Sequence, residues 1–273
     1  MAKTAAQMLY DKNTGAAAAV FCGNVQAFPQ HFHDYYVIGI TEKGLRSLVC
    51  SGRKYLLSRG AVSIFCPGES HSCADVMPGP FCHKSFNLPT QLVETLLPDG
   101  FDGFGGSVLY NVALFKHLSA WHTEFCQSRS ADGRWTLLRK IIKELAEAGG
   151  TKFVQTDMKR LQTVNAACCF INANYGRHFS MSELCQSCGV SASTLLRYFT
   201  VVKGMTPQQY LTAARINTAC KMLQKGTGIA ETALAGGFSS QSHFTNTFTK
   251  IIGITPKVYS NLFLQRGGNL FDG

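Results

Sequence analysis

The sequence predicts an α+β protein of two domains: an N-terminal antiparallel β-barrel with flanking helices and a C-terminal all-α domain. Two observations carry this prediction. Short segments with the composition of β-strands, separated by tight turns, occupy residues 35–88, and helical periodicity takes over from residue 112. The second half of the chain also contains an internal repeat whose two copies lie 49 residues apart. The 273 residues are enough for two such domains, each with its own core.

The predicted strands are rich in β-branched and aromatic residues. Turn signals that contain glycine separate the first four of them, at Glu42-Lys43-Gly44, Ser51-Gly52 and Arg59-Gly60. Short, regularly spaced antiparallel strands are typical of a small barrel or sandwich. The predicted segments are 35–41, 45–50, 54–58, 62–66 and 81–88.

Two amphipathic helices are predicted after the strands, over residues 112–126 and 134–148. Each places apolar residues three and four positions apart, so each has one apolar stripe. The stripe either covers the β-barrel or forms a contact between two subunits. Gly149 and Gly150 end the second helix and mark a boundary between the domains. The predicted organisation is an N-terminal domain over 1–150, a linker over 151–156, a helical domain over 157–266 and a tail over 267–273.

The charge distribution favours a polyanionic partner for the helical domain. The whole chain has a formal net charge of +10. Residues 157–266 contain 11 Lys or Arg and three acidic residues, which gives this domain a net charge of +8. A concentrated positive field of this kind attracts nucleic acid.

Composition also excludes several classes of protein. The sequence has no apolar run of the roughly 18 to 20 residues that a membrane span requires, and its N-terminus lacks the pattern of an export signal. We therefore expect a cytoplasmic protein that has no membrane partner. The 11 cysteines show no paired framework, so we expect reduced thiols. Cys185 and Cys188 form a CxxC, but neither a second CxxC nor a His pair follows at zinc-finger spacing.

The internal repeat matches seven positions at a constant offset, which indicates a duplicated structural unit. The first copy contains a Gly-x-Thr-Pro-x-x-Tyr sequence at its end, and the second copy repeats it. The matched pairs are Ser191 and Ser240, Leu195 and Phe244, Phe199 and Phe248, Gly204 and Gly253, Thr206 and Thr255, Pro207 and Pro256, and Tyr210 and Tyr259.

Each copy has the layout of a helix-turn-helix, predicted over about 182–202 and 229–252. In the first copy, Ser182 is the predicted cap of a short helix, Gly189 forms the turn, Ser191 caps a second helix and Gly204 ends it.

The second copy follows the same plan. It has a short helix over 229–235, a turn at Gly236-Gly237 and a longer helix over 240–252, which Gly253 ends. Thr206-Pro207 starts a long helix through residue 223 that separates the two units.

Residues 161–263 resemble the AraC/XylS class of transcription regulators. The most specific stretch is 237–260, which is similar to the family signature of Gly-Phe, an aromatic residue, a Phe and then Gly-x-Thr-Pro-x-x-Tyr. Arg215, Ala219 and Leu223 fit the family's spacer helix. The resemblance implies a transcription regulator that binds double-stranded promoter DNA. RNA polymerase and a second copy of the chain are further candidate partners.

Helix geometry predicts which side chains could read bases. If the repeated apolar residues point inward, one polar face of each second helix is left for the major groove. Arginine can bridge guanine O6 and N7, Gln and Asn can pair with adenine, and leucine can contact the thymine methyl. The predicted readers are Ser193, Leu196 and Arg197 in the first unit and Gln241, Ser242, Thr245 and Asn246 in the second.

The N-terminal half contains a histidine pattern that resembles the two cupin motifs. His31-Phe32-His33 lies before the strands, and a second group, 67–71, ends in His71. Alternate residues of a strand share a face, so the three imidazoles could meet inside the barrel. The glutamate of the cupin metal site is absent, because residues 36–38 are Tyr, Val and Ile. The alternatives are an organic effector site, a metal site or structural histidines; we predict the effector site, with no metal or cofactor.

Two enzyme alternatives use the same region. A cupin-type metal-dependent enzyme fused to a DNA-binding module would employ the three histidines, but this leaves the duplicated basic module unexplained. The run Phe81-Cys82-His83-Lys84 is similar to the Pro-Cys-His-Arg nucleophile motif of DNA alkyl repair, yet Phe81 separates Pro80 from the cysteine. We therefore predict a regulator that is not an enzyme and whose promoter binding responds to a small-molecule effector.

Overall fold

Strands dominate the first hundred residues of the computed structural model, and helices dominate the second half. The structure describes residues 5–23, 26–76, 79–98, 101, 104, 107–148 and 158–264. The strands are β1 (Ala5–Tyr10), β2 (Ala17–Gly23), β3 (Phe28–His31), β4 (Tyr36–Lys43), β5 (Arg46–Cys50), β6 (Arg53–Leu57), β7 (Ala61–Phe65), β8 (His71–Asp75), β9 (Phe81–Leu88) and β10 (Val108–Tyr110). The helices are α1 (Thr90–Leu96), α2 (Val112–Gln127), α3 (Ala131–Ala148), α4 (Met158–Asn174), α5 (Met181–Cys188), α6 (Ala192–Lys203), α7 (Pro207–Gln224), α8 (Ile229–Ala235), α9 (Gln241–Ile252) and α10 (Pro256–Leu264).

The strands form two antiparallel sheets, which confirms the predicted class of the N-terminal domain. The larger sheet has the order β1-β2-β9-β4-β7-β10, and the smaller sheet has the order β3-β8-β5-β6. A small apolar cluster joins the facing surfaces of the sheets, with Val37 and Phe65 from the larger sheet and Leu48 and Leu57 from the smaller one.

Alternation along β4 and β9 separates the two faces of the larger sheet. Ile38 and Phe86 point to one face, where they pack in a core with the apolar stripes of α2 and α3. This packing supports the covering role of the two helices. His83 and Asn87 alternate with Phe86 on β9 and line a cavity on the opposite face.

One buried histidine fixes α2 to the larger sheet. The His122 Nε2 atom lies 3.1 Å from the Ala19 carbonyl oxygen of β2 and 3.2 Å from the Ser85 carbonyl oxygen of β9. Burial is the main cause that lowers the pKa of His122 to about 4, and the positive charge of Lys84 adds to the effect. The imidazole is therefore neutral in the folded protein at pH 7.

The first two strands were not predicted from the alanine-rich N-terminus. All four alanines of 16–19 are buried, and they alternate between the two faces of the larger sheet. Ala16 and Ala18 lie in the core under α2 and α3, and Ala17 and Ala19 lie against the C-terminal domain. The expectation that all cysteines are reduced is also wrong here, because the structure pairs Cys22 of β2 with Cys82 of β9 in a cross-strand disulfide.

The C-terminal domain has the predicted helices, with one correction. The first short helix, α5, begins after Ser180 and not after Ser182. Ser180 Oγ accepts the Glu183 backbone N–H at 3.1 Å, and the Glu183 carboxylate accepts the Ser180 backbone N–H at 3.0 Å. This reciprocal capping box satisfies the backbone N–H groups of Ser180 and Glu183. Ser182 is already the second residue of α5 and is not its N-cap.

The predicted linker 151–156 and tail 267–273 lie outside the described residues, as do the residues at both limits of the predicted domain 157–266. Among the helices that the structure describes, none combines the length and apolar character needed to cross a bilayer.

Two neighbouring leucines of α6 test the assignment of its faces. Leu195 is fully buried, so Leu195→Ala should lower the free energy of unfolding by about 2–5 kcal/mol. Leu196 is 45% exposed, and Leu196→Ala should change this free energy by less than about 0.5 kcal/mol. Urea unfolding followed by far-UV circular dichroism gives both values. Equal losses in the two variants would contradict the assignment.

Acidification tests the neutral state of His122. The unfolded chain gains a proton on this residue below about pH 6.5, whereas the folded protein resists protonation until about pH 4. His122 therefore makes its full contribution to the free energy of unfolding above about pH 6.5, and this contribution is lost as the pH is lowered toward 4. The loss due to His122 is on the order of 3 kcal/mol.

The variant His122→Gln should lose less stability on acidification, because an amide can still donate to the carbonyls but does not titrate. His178→Gln, a change at an exposed histidine, is the matched control and should keep the wild-type pH profile. Urea titrations between pH 4 and pH 7 measure the difference. Identical profiles for wild type and His122→Gln would refute this role for the buried imidazole.

Candidate functional site

Helices α6 and α9 occupy equivalent positions in the two repeats. Ser191 and Ser240 cap them, accepting the backbone N–H groups of Thr194 and His243 at 3.3 and 3.1 Å, respectively. Both helices end at a glycine with positive φ, 67° at Gly204 and 88° at Gly253. These geometries are those predicted from the repeat.

The apolar positions of both helices point inward, as predicted. Leu195 and Phe199 of α6 are fully buried, and so are Phe244 and Phe248 of α9. Six of the seven predicted base readers are exposed in the full chain, and the seventh, Thr245, is half-buried. The exposed six are Ser193, Leu196, Arg197, Gln241, Ser242 and Asn246.

Each of these helices also ends against the N-terminal domain. The Ser70 hydroxyl donates a hydrogen bond to the carbonyl oxygen of Lys203, in the last turn of α6. The Gln26 side-chain amide donates to the carbonyl oxygen of Thr249, in the last turn of α9, at 2.8 Å. The N-terminal domain thus caps the carboxyl ends of both helices, while six of the seven predicted base readers on them stay exposed.

A cavity of about 480 Å³ lies between the two domains. Its walls on the sensor side include Phe65, His83 and Asn87, while α7 and α10 contribute Lys221 and Tyr259. Apolar and aromatic surface predominates, and a few polar groups point inward, which is the usual lining of a site for a small organic molecule.

The structure brings His31, His33 and His71 together in the wall of this cavity, as the sequence predicts. The Nε2 atoms of His31 and His33 are 3.2 Å apart, and one ring nitrogen from each of the three histidines lies within 4.8 Å of the others. The His71 ring stacks on Phe65 with 3.9 Å between ring centroids.

Backbone carbonyl groups orient two of the rings. His31 Nδ1 lies 2.7 Å from the Pro29 carbonyl oxygen, and His71 Nδ1 lies 3.1 Å from that of Glu69. Since a carbonyl can only accept, both Nδ1 atoms carry the proton, and both Nε2 atoms keep their lone pairs.

Burial keeps the three imidazoles neutral near pH 7. It lowers the pKa of His31 to about 4 and holds the pKa values of His33 and His71 well below the ordinary histidine value. The neighbouring imidazoles contribute a second, smaller lowering at His33 and His71.

The residues that alternate with these histidines contact the C-terminal domain. The Phe32 ring stacks on Tyr210 with 4.7 Å between centroids, and the Phe32 carbonyl oxygen accepts a hydrogen bond from Asn217 Nδ2 at 3.3 Å. The Asp34 carboxylate pairs with Lys221 Nζ at 2.5 Å.

These interdomain partners were missed by the sequence prediction. Asp34 and Lys221 lie in different domains, and no spacing or motif in the sequence links them. Alternation within 31–33 is a partial signal, because it would place Phe32 on the side opposite the two histidines.

Comparison with known families gives two matches on this chain. The family described as the AraC-like ligand binding domain matches residues 16–140, and a helix-turn-helix domain family matches residues 184–261. The two matches fall on the sheet domain with α2 and α3 and on the helices from α5 to α10.

Relatives match over most of the chain. The uncharacterized HTH-type transcriptional regulator YbfI of Bacillus subtilis (strain 168) is 32% identical over 229 residues, which is 82% of this chain and 83% of that protein. The HTH-type transcriptional activator RhaS of Pectobacterium carotovorum subsp. carotovorum (strain PC1) is 26% identical over 244 residues, covering 85% of this chain and 87% of RhaS.

Solved structures show the same two-domain fold. An apo form of a ToxT variant from Vibrio cholerae strain SCE256 aligns with a TM-score of 0.58 and 15% identity, over 93% of this chain and 99% of that one. Unsaturated fatty acid bound wild-type ToxT from the same strain aligns with a TM-score of 0.53 and 15% identity, over 97% and 98% of the two chains.

The two family matches in this order, the similarity to YbfI over most of both chains, and the paired helix-turn-helix units show that the chain belongs to the AraC family of transcriptional regulators, with a ligand-binding domain followed by a DNA-binding helix-turn-helix region.

Proposed function

We propose that this regulator binds promoter DNA through α6 and α9 and that an organic effector in the interdomain cavity changes how these two helices are held. The observation that carries the proposal is that the wall of the cavity is continuous with the residues that cap both helices. His71 follows Ser70, which donates to the last turn of α6, and the cavity residue Phe28 lies two positions after Gln26, which donates to the last turn of α9. We assign the sensing role to residues 1–150 and the DNA-binding role to 157–266, with 151–156 as the linker and 267–273 as the tail.

The exposed faces of α6 and α9 supply the chemistry for base recognition. Arg197 can bridge guanine O6 and N7, and Gln241 and Asn246 can each pair with adenine. Leu196 offers an apolar contact for a thymine methyl. The hydroxyls of Ser193, Ser242 and Thr245 complete the predicted set and suit contacts to bases or to neighbouring phosphates.

The cavity supports an effector with an apolar body and one or two polar groups. His31, His33 and His71 form a polar corner in a lining that is otherwise mostly apolar, so we assign to them the contact with a polar group of the effector. ToxT, which shares the fold, binds an unsaturated fatty acid, a molecule of this general character.

Coupling follows from the geometry of the segment 31–34. A ligand shifts a regulator only if it binds two states with different affinities. Here the groups assigned to the ligand, His31 and His33, alternate with Phe32 and Asp34, which contact α7. A shift of the histidines toward a ligand therefore changes the contacts that hold the DNA-binding domain.

We propose further that the protein acts as a regulator and not as an enzyme, since the cavity opens between the sensor and the DNA-binding helices. A promoter-binding protein works where the chromosome is, so we assign it to the cytoplasm. RNA polymerase is the expected partner for activation, the role named for RhaS. A second copy of the chain would double the number of reading helices on a promoter.

Arg197 tests base recognition. A binding site is first selected from a random DNA library with the full-length protein, and affinities are then measured on the selected site and on unrelated DNA. Arg197→Ala should weaken binding to the selected site by about 1–3 kcal/mol, or roughly five- to 150-fold, and flatten the preference at one base position.

Arg139→Ala removes the same charge from an exposed position of α3 and is the control. It should leave both affinities within about twofold of wild type. A uniform loss on all DNA sequences for Arg197→Ala would instead make Arg197 a phosphate contact.

The histidines test effector binding. A panel of metabolites is screened for compounds that raise the melting temperature of the full-length protein, because a ligand specific for the folded state stabilises it. The double variant with His33→Gln and His71→Gln should lose this shift and the effect of the compound on DNA binding, while DNA binding without the compound remains. A folded double variant that responds fully would remove these histidines from the effector site.

A further inference from the structure

One pair of cysteines stands apart from the other thiols of the chain. We propose that Cys22 and Cys82 form a reversible thiol–disulfide modification site, and that closing this bond strengthens the hold of the N-terminal domain on α9. The proposal goes beyond effector binding, because it requires no molecule in the cavity. It depends on the register of two strands, on the access of solvent to the sulfur atoms and on the contacts of the neighbouring residues.

Strand register brings the two sulfur atoms together. β2 pairs with β9 along seven positions, and Cys22 lies directly opposite Cys82 in this ladder. Their Cα atoms are 4.1 Å apart, close to the narrower spacing of an antiparallel pair, at which side chains approach most closely. The other nine cysteines, all within the described residues, are free thiols. The fold therefore selects this one pair.

The bond is not needed to build the domain. Six further residue pairs join β2 to β9, and both strands contribute fully buried residues, Ala18 and Phe86, to the core under α2 and α3. Disulfides replace a sufficient core mainly in small secreted domains. Here the strands have their own ladder and core, so the protein can fold with the sulfur atoms bonded or unbonded.

Both cysteines of the pair are accessible to small reagents. Each is half-buried, whereas the free thiols of Cys50, Cys168 and Cys220 are buried. Exposed disulfides are more easily reduced than enclosed structural ones and are typical of regulatory sites. Glutathione keeps most cytoplasmic thiols reduced, so a disulfide in a cytoplasmic protein is usually transient. In the cytoplasm, which the proposed function assigns, we expect the dithiol at rest and the disulfide under oxidation.

The chemistry is an exchange with a low-molecular-weight disulfide such as oxidised glutathione. The thiolate of one cysteine attacks this disulfide, forms a mixed disulfide and releases one glutathione thiolate. The thiolate of the second cysteine then attacks the protein sulfur of the mixed disulfide and expels the second glutathione. The protein loses two electrons and two protons, which oxidised glutathione gains as it becomes two molecules of the reduced form. Excess reduced glutathione drives the same steps backward.

On β2, residues close to the disulfide hold the end of α9. The Phe21 ring packs at Gly253, where a Cβ would lie 2.9 Å from it. Gln26, four positions after Cys22, donates to the Thr249 carbonyl oxygen at 2.8 Å. The bonded cysteine therefore lies between two residues that contact the same helix end.

The same contacts are supported from β9. Phe81, next to Cys82, lies under the Arg46 guanidinium, 4.7 Å from the ring centroid to Cζ. Arg46 Nη1 donates to the Gln26 carbonyl oxygen at 2.9 Å. The disulfide thus fixes β2 relative to the residues that hold Gln26, and Gln26 in turn holds α9.

Helix α6 provides an internal comparison. Its end is contacted by Ser70, which is adjacent to neither cysteine in the chain and lies outside both bonded strands. A closed disulfide restricts the relative motion of β2 and β9, so less conformational freedom remains at the contacts with α9. Oxidation should therefore tighten the end of α9 and leave the end of α6 unchanged.

Hydrogen exchange tests this hold without DNA or effector. Full-length protein is equilibrated in glutathione buffers from reducing to oxidising, and alkylation with peptide mapping identifies the bonded cysteines. Amide exchange is then followed by mass spectrometry. We expect the Cys22–Cys82 bond to open and close reversibly in these buffers. Amides at the end of α9 should exchange at least about fivefold more slowly in the oxidised protein, and those at the end of α6 should not change.

Variants separate this pair from the other thiols. The double variant with Cys22→Ser and Cys82→Ser should exchange like the reduced wild type in every buffer. Cys169→Ser removes an exposed thiol of α4 and should keep the full response. The double variant with Cys185→Ser and Cys188→Ser removes the CxxC and should also keep it.

Three results would overturn the proposal: a bond that reduced glutathione cannot open, a pair that stays as thiols in oxidised glutathione, or equal exchange at the end of α9 in the two redox forms. If the double variant of Cys22 and Cys82 fails to fold, the comparison of oxidised and reduced wild type still decides.

DNA binding is measured separately, because its dependence on α9 rests on the proposed function. The oxidised protein should bind the selected site at least about fivefold more weakly than the reduced protein, since a helix that is held more firmly adjusts less readily to a duplex. Equal DNA affinities together with slower exchange at α9 would keep the redox site and refute the proposed coupling of this hold to DNA binding.

Discussion

The position of residues 31–34 between the cavity and α7 is the constraint on which communication between the domains depends. β3 ends at His31 and the chain bends at Asp34, so four consecutive residues serve both the cavity and the contact with the DNA-binding domain. His31 and His33 face the other cavity histidine, while Phe32 and Asp34 contact α7. A displacement of the histidines therefore also moves Phe32 and Asp34, because these residues are their direct neighbours in the chain.

The contacts across the domain boundary differ in strength. Asp34 and Lys221 are 38% and 62% exposed, so their ion pair contributes at most about 1 kcal/mol. The buried ring of Phe32 against Tyr210 contributes about 2–3 kcal/mol. Coupling between an effector and DNA is typically 1–3 kcal/mol. Loss of the Phe32–Tyr210 contact alone would therefore change the interaction free energy between the domains by an amount sufficient for regulation. The Asp34–Lys221 ion pair contributes less to this free energy.

The helix-turn-helix region could be predicted almost completely from sequence, because each of its elements is specified locally. A capping serine, two apolar residues four positions apart and a final glycine determine α6 and α9 within 14 residues. The first strands could not be predicted in this way. Alanine has little preference for strands, and β2 is buried on both faces, so the usual alternation of polar and apolar residues is missing. Ser180 was missed although the sequence does contain its signal: Glu183 follows it at the spacing of a capping box, whereas Cys185 stands at that spacing from Ser182.

The final glycines of the two repeats show what local reasoning leaves out. The sequence identifies Gly204 and Gly253 as helix ends, and their positive φ angles agree. The structure adds a second requirement: a Cβ at Gly204 would lie 2.9 Å from Ser70 Oγ, and one at Gly253 would lie 2.9 Å from the Phe21 ring. Duplication of one unit thus places a glycine at the end of α6 and another at the end of α9, and the sensor domain packs on both. A sensor domain that contacts both ends can alter the spacing or tilt of α6 and α9 relative to each other, which is the change that would alter DNA binding if, as proposed, both helices read one duplex.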